Sequence, residues 1–412
     1  MELISADLVC DVLSISESSL QKKIKDGELN IAQECNGLFF FNKDELLKYP
    51  EFGDMDIDAW NKHQAIKPTM PFTSIELFAG CGGMALGLEQ AGFRHLLLNE
   101  FDKNACRTLG KNRPAWPIAE GDISKLSFSH FHGCVDLLAG GFPCQAFSYA
   151  GRQLGFNDVR GTLFFEYARA IKEIQPKFFL AENVKGLLTH DNGKTFETIK
   201  AVLQELGYTI LECDIYKAMF YKVPQKRERL IIIGVRNDLL DKLNTAFVKP
   251  PKYKRVLAVR DALYKGELFD LNVPMSNGVN YSQEKTNVMK LVPPGGNWKD
   301  LPFEVQKKYM AGSLDAGGGK TGMAKRLHLD RPSLTLTCSP AQKQTERCHP
   351  IHTRPLQIRE YARIQTFPDD WQFEGALTTQ YKQIGNAVPV NLAKSIGLSI
   401  VSLLNQIICT KD

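Results

Sequence analysis

From residue 72 onward, short apolar runs alternate with longer segments whose apolar positions recur every three or four residues. The short runs at 74–78, 95–99, 135–139, 178–182, 208–215 and 229–235 predict buried strands. Residues 163–174 and 195–206 predict amphipathic helices between them. That alternation predicts an α/β fold with a doubly wound sheet. After residue 249 the chain turns richer in Pro, Gly and polar residues, including Pro293-Pro294-Gly295-Gly296 and Gly317-Gly318-Gly319. This predicts a smaller irregular, β-rich domain over 250–358. Helical periodicity returns at 359–364, and 391–408 predicts a final helix with Leu392, Ile396, Ile400 and Leu403 apolar. The α/β block is thus expected at 72–249 and 359–412.

The first residues, 1–68, read as a separate unit. Residues 4–13 predict a helix, 14–16 a turn, and 17–25 a second helix with Ser16 as its cap. Gly27 breaks the pattern, and 31–41 predicts a hairpin turning at Asn36-Gly37. Asn42 is placed to cap a short helix over 43–49. This order resembles a winged helix-turn-helix, although a packing appendage without DNA contact explains it equally well. Residues 51–71, acidic at first and ending in Pro68 and Pro71, suit a linker.

Composition narrows the class. A chain of 412 residues allows two or three domains, and 43% hydrophobic with 24% charged residues is ordinary for a globular protein. The net charge of +5 is compatible with nucleic acid without establishing it. None of the ten cysteines forms a C-x-x-C pair, so no metal site is expected and reduced cytosolic thiols are. The N-terminus has no basic cluster, and no run approaches the roughly 18–20 uninterrupted apolar residues of a membrane span. A cytoplasmic, membrane-free protein is expected.

Candidate chemistry sits at two strand ends. Glu76-Leu77-Phe78-Ala79-Gly80-Cys81-Gly82-Gly83 lies between a predicted strand and a helix, where glycines let backbone approach a ligand. Glu100 ends the next strand, positioned to grip ribose hydroxyls, and Asp122 ends a third unit, within reach of an adenine amino group. This spacing fits NAD, FAD or S-adenosylmethionine. Glu76 favours a ligand with a cationic end over a pyrophosphate.

Gly140-Gly141-Phe142-Pro143-Cys144-Gln145 follows the strand at 135–139, so Cys144 opens onto the same crevice as a nucleophile candidate. Glu182-Asn183-Val184 ends the neighbouring strand. Gln225-Lys226-Arg227-Glu228-Arg229 sets two arginines at alternating positions, expected on one face. Thiol, acid and arginines suit cytosine chemistry. Carbon 5 of that ring is a poor nucleophile until a thiolate adds at carbon 6. A carboxyl group at N3 then shares its proton, and arginines hold O2 and a phosphate.

These segments resemble, in order, the motifs of bacterial DNA cytosine-5 methyltransferases. Phe78 to Gly83 resembles their cofactor loop, including Gly80 and Gly82. Asn99-Glu100 resembles the ribose segment, with Phe101 against adenine, and Asp122-Ile123 the adenine-edge pair. Pro143-Cys144-Gln145 resembles the nucleophile motif, Glu182-Asn183-Val184 the acid motif and 225–229 the Q-x-R-x-R segment. Residues 155–165 resemble the catalytic loop, Arg331 to Thr335 the motif after the recognition region, and 359–363 and Gln383 to Val388, with Asn386 and Ala387, the closing segments. Glu76, Phe101 and Ala387 stand where aspartate, tryptophan and serine are more frequent.

The resemblance covers about 72–404. It implies a fold of the S-adenosylmethionine-dependent, Rossmann-like kind, with S-adenosylmethionine as cofactor and no metal. It also implies a covalent Cys144 adduct on a base turned out of duplex DNA, and target recognition by 250–358. There Lys320, Lys325, Arg326, Lys343 and Arg347 suit phosphate and base-edge contacts. A monomer is expected, acting separately from a cognate restriction endonuclease. Two other readings stay open: methylation of cytosine in tRNA, and a regulatory role of residues 1–68 at a promoter.

Overall fold

The computed structural model describes residues 2–35, 38–143, 162–314 and 322–409. Cys144, Gln145, Lys320, the Asn36-Gly37 turn and Gly317-Gly318-Gly319 lie outside the described residues.

The chain opens with β1 (Leu3–Ser5), α1 (Ala6–Leu13), α2 (Glu17–Lys25), β2 (Gln33–Cys35) and β3 (Leu38–Asn42). The three strands form one antiparallel sheet, ordered β1-β3-β2. Ser16 caps α2 by accepting from the Ser19 N–H at 3.1 Å, as expected. The first helix starts later than its periodicity suggested. Ile4, expected in the helix, pairs with Phe41 in extended form, and Ser5 becomes the cap. Asn42 caps α3 (Lys43–Leu46), shorter than expected.

The expected linker is instead folded. It carries α4 (Pro50–Gly53) and α5 (Ile57–Gln64), whose Phe52 and Trp60 are buried. Burial of two large aromatic rings outweighs the acidic composition.

Next come β4 (Phe72–Leu77), α6 (Gly83–Gln90), β5 (Phe93–Glu100), α7 (Lys103–Asn112), β6 (Ile118–Glu120) and β7 (Leu137–Gly140). They are followed by α8 (Leu163–Ile174), β8 (Phe178–Val184), α9 (Lys194–Glu205), β9 (Tyr208–Lys217), β10 (Gln225–Lys226) and β11 (Glu228–Arg236). Seven of these strands form one sheet, ordered β6-β5-β4-β7-β8-β11-β9. The first five run parallel, whereas β11 is antiparallel to both neighbours.

Alternation along each strand sends side chains into two separate cores. Ile75, Leu77, Leu138, Phe179, Leu230 and Ile232 meet α8 and α9 on one face. Leu137, Ala139, Phe178, Leu180, Ile231 and Ile233 belong to the core on the other face, with α6 and the last helix. This two-sided burial explains why the strands read as continuous apolar runs. Strand order reverses at β4, between β5 and β7, which opens a crevice at their carboxyl ends.

The remaining elements are α10 (Val259–Leu263), α11 (Gln283–Lys290), α12 (Phe303–Met310), β12 (Ser333–Leu334), α13 (Ile358–Ile364), α14 (Leu377–Asn386) and α15 (Val390–Cys409). The region expected to be β-rich is irregular with short helices. Among its described residues the single named strand, β12, pairs in parallel with β10. Its own small core gathers Met289, Trp298, Met310 and Met323, so apolar staples replace sheet hydrogen bonding.

Residues 377–408 are apolar and long enough to cross a membrane by composition, yet 83% of their apolar window is buried inside the fold. The reason is local: α15 packs directly on α6, where a Cβ at Gly87 would lie 2.5 Å from Ala393 Cβ. A helix enclosed on most sides can be apolar all round.

The first 64 residues are fastened to this body. His63 Nε2 and Ser399 Oγ are 3.0 Å apart, and Lys217 Nζ donates to the Val12 carbonyl at 2.9 Å. Asp7 pairs with Arg331, and Asp11 with Lys226.

Candidate active site

The crevice at the carboxyl ends of β4, β5, β7 and β8 is a cleft of about 980 Å³. One end is built for a nucleotide-like ligand. Phe78 and Gly80 turn the chain after β4 with φ of 60° and 57°. Gly80 N–H donates to Glu100 Oε2 at 2.7 Å, and Asp102 N–H donates to Glu100 Oε1 at 2.8 Å. The carboxylate at the end of β5 is therefore fixed by two backbone donors. Phe101 projects beside it with 75% of its surface exposed. Asp122 accepts from the Ser124 N–H at 2.9 Å, which holds its carboxyl below the usual range, and Ile123 is buried behind it.

Gly83 faces the opposite wall. A Cβ there would lie 2.3 Å from the Val388 carbonyl, so only glycine lets α6 reach the turn before α15. Asn386 and Ala387 on that turn line the cleft, as does Pro143 at its far side. Gly82, expected as a cofactor contact, lies off the cleft wall. It caps α6 with φ of 89° and rests against Leu109 and Trp371.

Glu76 lines the cleft with 1% of its surface exposed, and its Oε2 has no hydrogen-bond partner among the described residues. Burial, with Glu100 adding a like charge, raises its carboxyl well above the ordinary range. An unpaired buried carboxyl is costly unless a ligand completes it. A sulfonium ligand bearing an ammonium group fits this end of the cleft, whereas a pyrophosphate meets two acids.

The other end holds two members of the expected reaction set, Glu182 and Arg229. Glu182, at the end of β8, and Arg229, at the start of β11, form an ion pair of 2.6 Å between Oε1 and Nε. Asn183 Nδ2 donates to the Phe142 carbonyl at 2.8 Å. That bond fixes the segment leading into Cys144. Asn183 drew no separate attention in the sequence, where only its place beside the acid marked it.

Of the two arginines only Arg229 lines the cleft, where the sequence leads us to expect both. Arg227 is 1% exposed and sits behind the cleft wall. It donates to the carbonyls of Gly385 at 3.0 Å and Asn386 at 3.3 Å. Burial, with Arg229 nearby, pulls its guanidinium down to about 9. The cause is a change of partner at this residue: β10 pairs with β12, whereas β11 pairs with β8 and β9. Strand alternation is broken where Arg227 stands.

The cations of the irregular region also divide. Arg326 and Arg347 are buried and bond backbone carbonyls, Arg326 to Met289 and Val292 and Arg347 to Thr335. Lys325 is half-buried and donates to the Gly295 carbonyl, and burial lowers its amine to about 8. Lys343 is exposed.

The family model for C-5 cytosine-specific DNA methylases matches residues 72–402. Type II methyltransferase M.PspPI of Psychrobacter sp. (strain TA137) is 58% identical over 402 residues, covering 97% of this chain and 96% of that protein. Type II methyltransferase M.Eco47II of Escherichia coli is 55% identical over 407 residues, covering 98% and 97%. Among solved structures, the Entamoeba histolytica methyltransferase EhMeth matches with a TM-score of 0.51 at 15% identity. It covers 82% of this chain and 99% of that chain, a likeness of fold alone. The chain belongs to the C-5 cytosine-specific DNA methylases, enzymes that transfer a methyl group from S-adenosylmethionine to carbon 5 of cytosine in DNA.

Proposed function

We propose that this enzyme methylates one cytosine within a specific duplex sequence, as the modification half of a restriction–modification system. The type II names of its relatives support that setting. The observation that carries the residue assignment is the Glu182–Arg229 pair, facing a cleft entered by the segment that leads to Cys144.

In this reading Glu100 holds the ribose of the cofactor, Phe101 lies against its adenine, and Asp122 and Ile123 meet the adenine edge. Phe78, Gly80, Gly83, Pro143, Asn386 and Ala387 form the walls. The Cys144 thiolate bonds to carbon 6 of the turned-out cytosine and drives the ring electron pair toward carbon 5. Glu182 shares a proton with N3, and Arg229 holds O2. S-adenosylmethionine supplies the methyl group taken up at carbon 5. Loss of the carbon 5 proton restores the double bond and expels the thiolate. Residues 250–358 carry target recognition, and the enzyme works as a monomer, apart from any endonuclease.

Incubation with S-adenosylmethionine and duplex DNA carrying 5-fluorocytosine, whose fluorine blocks the final elimination, tests the assignment. Wild-type protein forms an adduct that survives denaturation, and Cys144→Ser forms none. An adduct persisting in Cys144→Ser overturns the nucleophile. Labelled methyl appearing in tRNA but not in duplex DNA overturns the substrate.

A further inference from the structure

Behind the cleft, a buried chain of side-chain amides joins four segments separated in sequence. The Leu336 N–H donates to Gln225 Oε1 at 3.0 Å, and Gln225 Nε2 donates to Gln365 Oε1 at 3.0 Å. Gln365 Nε2 donates to the carbonyls of Ile384 at 2.7 Å and Ala387 at 3.2 Å. Both glutamines are 0% exposed. Chemistry fixes their orientation. The two carbonyls require an amino group at Gln365, so its oxygen faces Gln225, whose own oxygen then meets the Leu336 N–H.

Arg227 runs alongside as a second arm, bonding the Leu336, Gly385 and Asn386 carbonyls. The joined parts are the strand that leads to Arg229, the turn whose Asn386 and Ala387 line the cofactor end, and the segment at Leu336 and Thr337 within 250–358. The last two are in backbone contact, since a Cβ at Gly385 would lie 2.1 Å from the Thr337 carbonyl.

We propose that Gln225, Gln365 and Arg227 are positioning residues that lock the cofactor wall to the base clamp, so each ligand tightens the other. The inference rests on the reading of Arg229 as the base clamp and of Asn386 and Ala387 as cofactor wall. Breaking the lock at one partner leaves buried carbonyls or amides orphaned, so the turn at 384–387 shifts relative to Arg229. Such a coupling is reciprocal for binding.

The test is calorimetric binding of S-adenosylhomocysteine to the full chain, with and without a saturating duplex containing its mapped methylation site. In the wild type the duplex tightens binding by several-fold. In Gln365→Met that ratio falls toward one, and Arg227→Lys, which loses the planar fork, lowers it too. Tyr208→Phe serves as control, because it removes a bond of 2.7 Å to the Pro176 carbonyl, away from the cleft. Tyr208→Phe keeps the wild-type ratio at a comparable loss of melting temperature. A wild-type ratio of one, or a ratio in Gln365→Met and Arg227→Lys equal to that of the control, overturns the inference. Should Gln365→Met fail to fold, Arg227→Lys decides alone. Failure of the site reading itself registers separately, as normal turnover in Arg229→Gln.

Discussion

Arg229 Nε stands 2.6 Å from Glu182 Oε1, and both side chains are largely withdrawn from solvent while facing the cleft. The pair thus fixes each group's position relative to the other. An arginine so placed keeps the carboxylate oriented and offers its remaining N–H groups to a carbonyl oxygen.

Glu182→Gln is expected to lower turnover by about 10²- to 10⁴-fold, the usual weight of a proton-transfer group. Cofactor affinity should change little, because Glu100 and Phe101, the residues proposed to hold the cofactor, are untouched. Combining it with Arg229→Gln should cost less than the product of the two single losses, since the groups act as a unit. Single-turnover rates on duplex DNA check this.

Phe101→Ala should leave the melting temperature unchanged, as the ring is mostly solvent-exposed. Its loss should weaken cofactor binding by roughly tenfold, in line with the stacking of a base on an aromatic ring. Equal affinities in calorimetry would remove Phe101 from the site.

Glu76 ties stability to pH. Its carboxyl is held well above the ordinary value of 4.5, so the folded protein keeps a proton that the unfolded chain releases. Stability from this group is therefore fullest below that ordinary value and declines as pH rises toward the folded value. Glu76→Gln removes the decline. Ligand-free Glu76→Gln should melt above wild type at pH 8 and level with it near pH 5, while binding S-adenosylmethionine more weakly. Parallel melting curves across that range would contradict the assignment.

Two glycines should fail differently. A Cβ at Gly141 has one close contact, Glu182 Oε2 at 2.9 Å, the far end of a flexible side chain. Gly141→Ala should cut turnover while the melting temperature stays within a few degrees. A Cβ at Gly83 meets the Val388 carbonyl, which is backbone, so Gly83→Ala should destabilise the fold itself. Thermal melts paired with activity separate the two.

Much of this arrangement is legible in sequence because the sheet is buried on both faces. Strands such as β8 and β11 announce themselves as apolar runs, and Glu182 and Arg229 mark their ends. What stays hidden depends on partners distant in sequence. The three residues of β6 are too short to show a period. Arg227 and Arg229 look equivalent by alternation, and only the change from β12 to β8 and β9 sends one inward. Arg326 and Arg347 look like DNA contacts, yet carbonyls from a strand-poor region draw them into its interior.

The docking of the first helix bears on how new specificities could be made. On the proposal that residues 250–358 carry target recognition, Arg331, near the end of that stretch, would travel in an exchange that took all of it, and its partner Asp7 sits near the opposite end of the chain. Lys226 and Asp11 repeat that arrangement on the catalytic side. A transplanted segment therefore arrives without its counter-charge unless the N-terminal helix moves with it. The portable cassette is discontinuous: two pieces of polypeptide, inherited together or mismatched together.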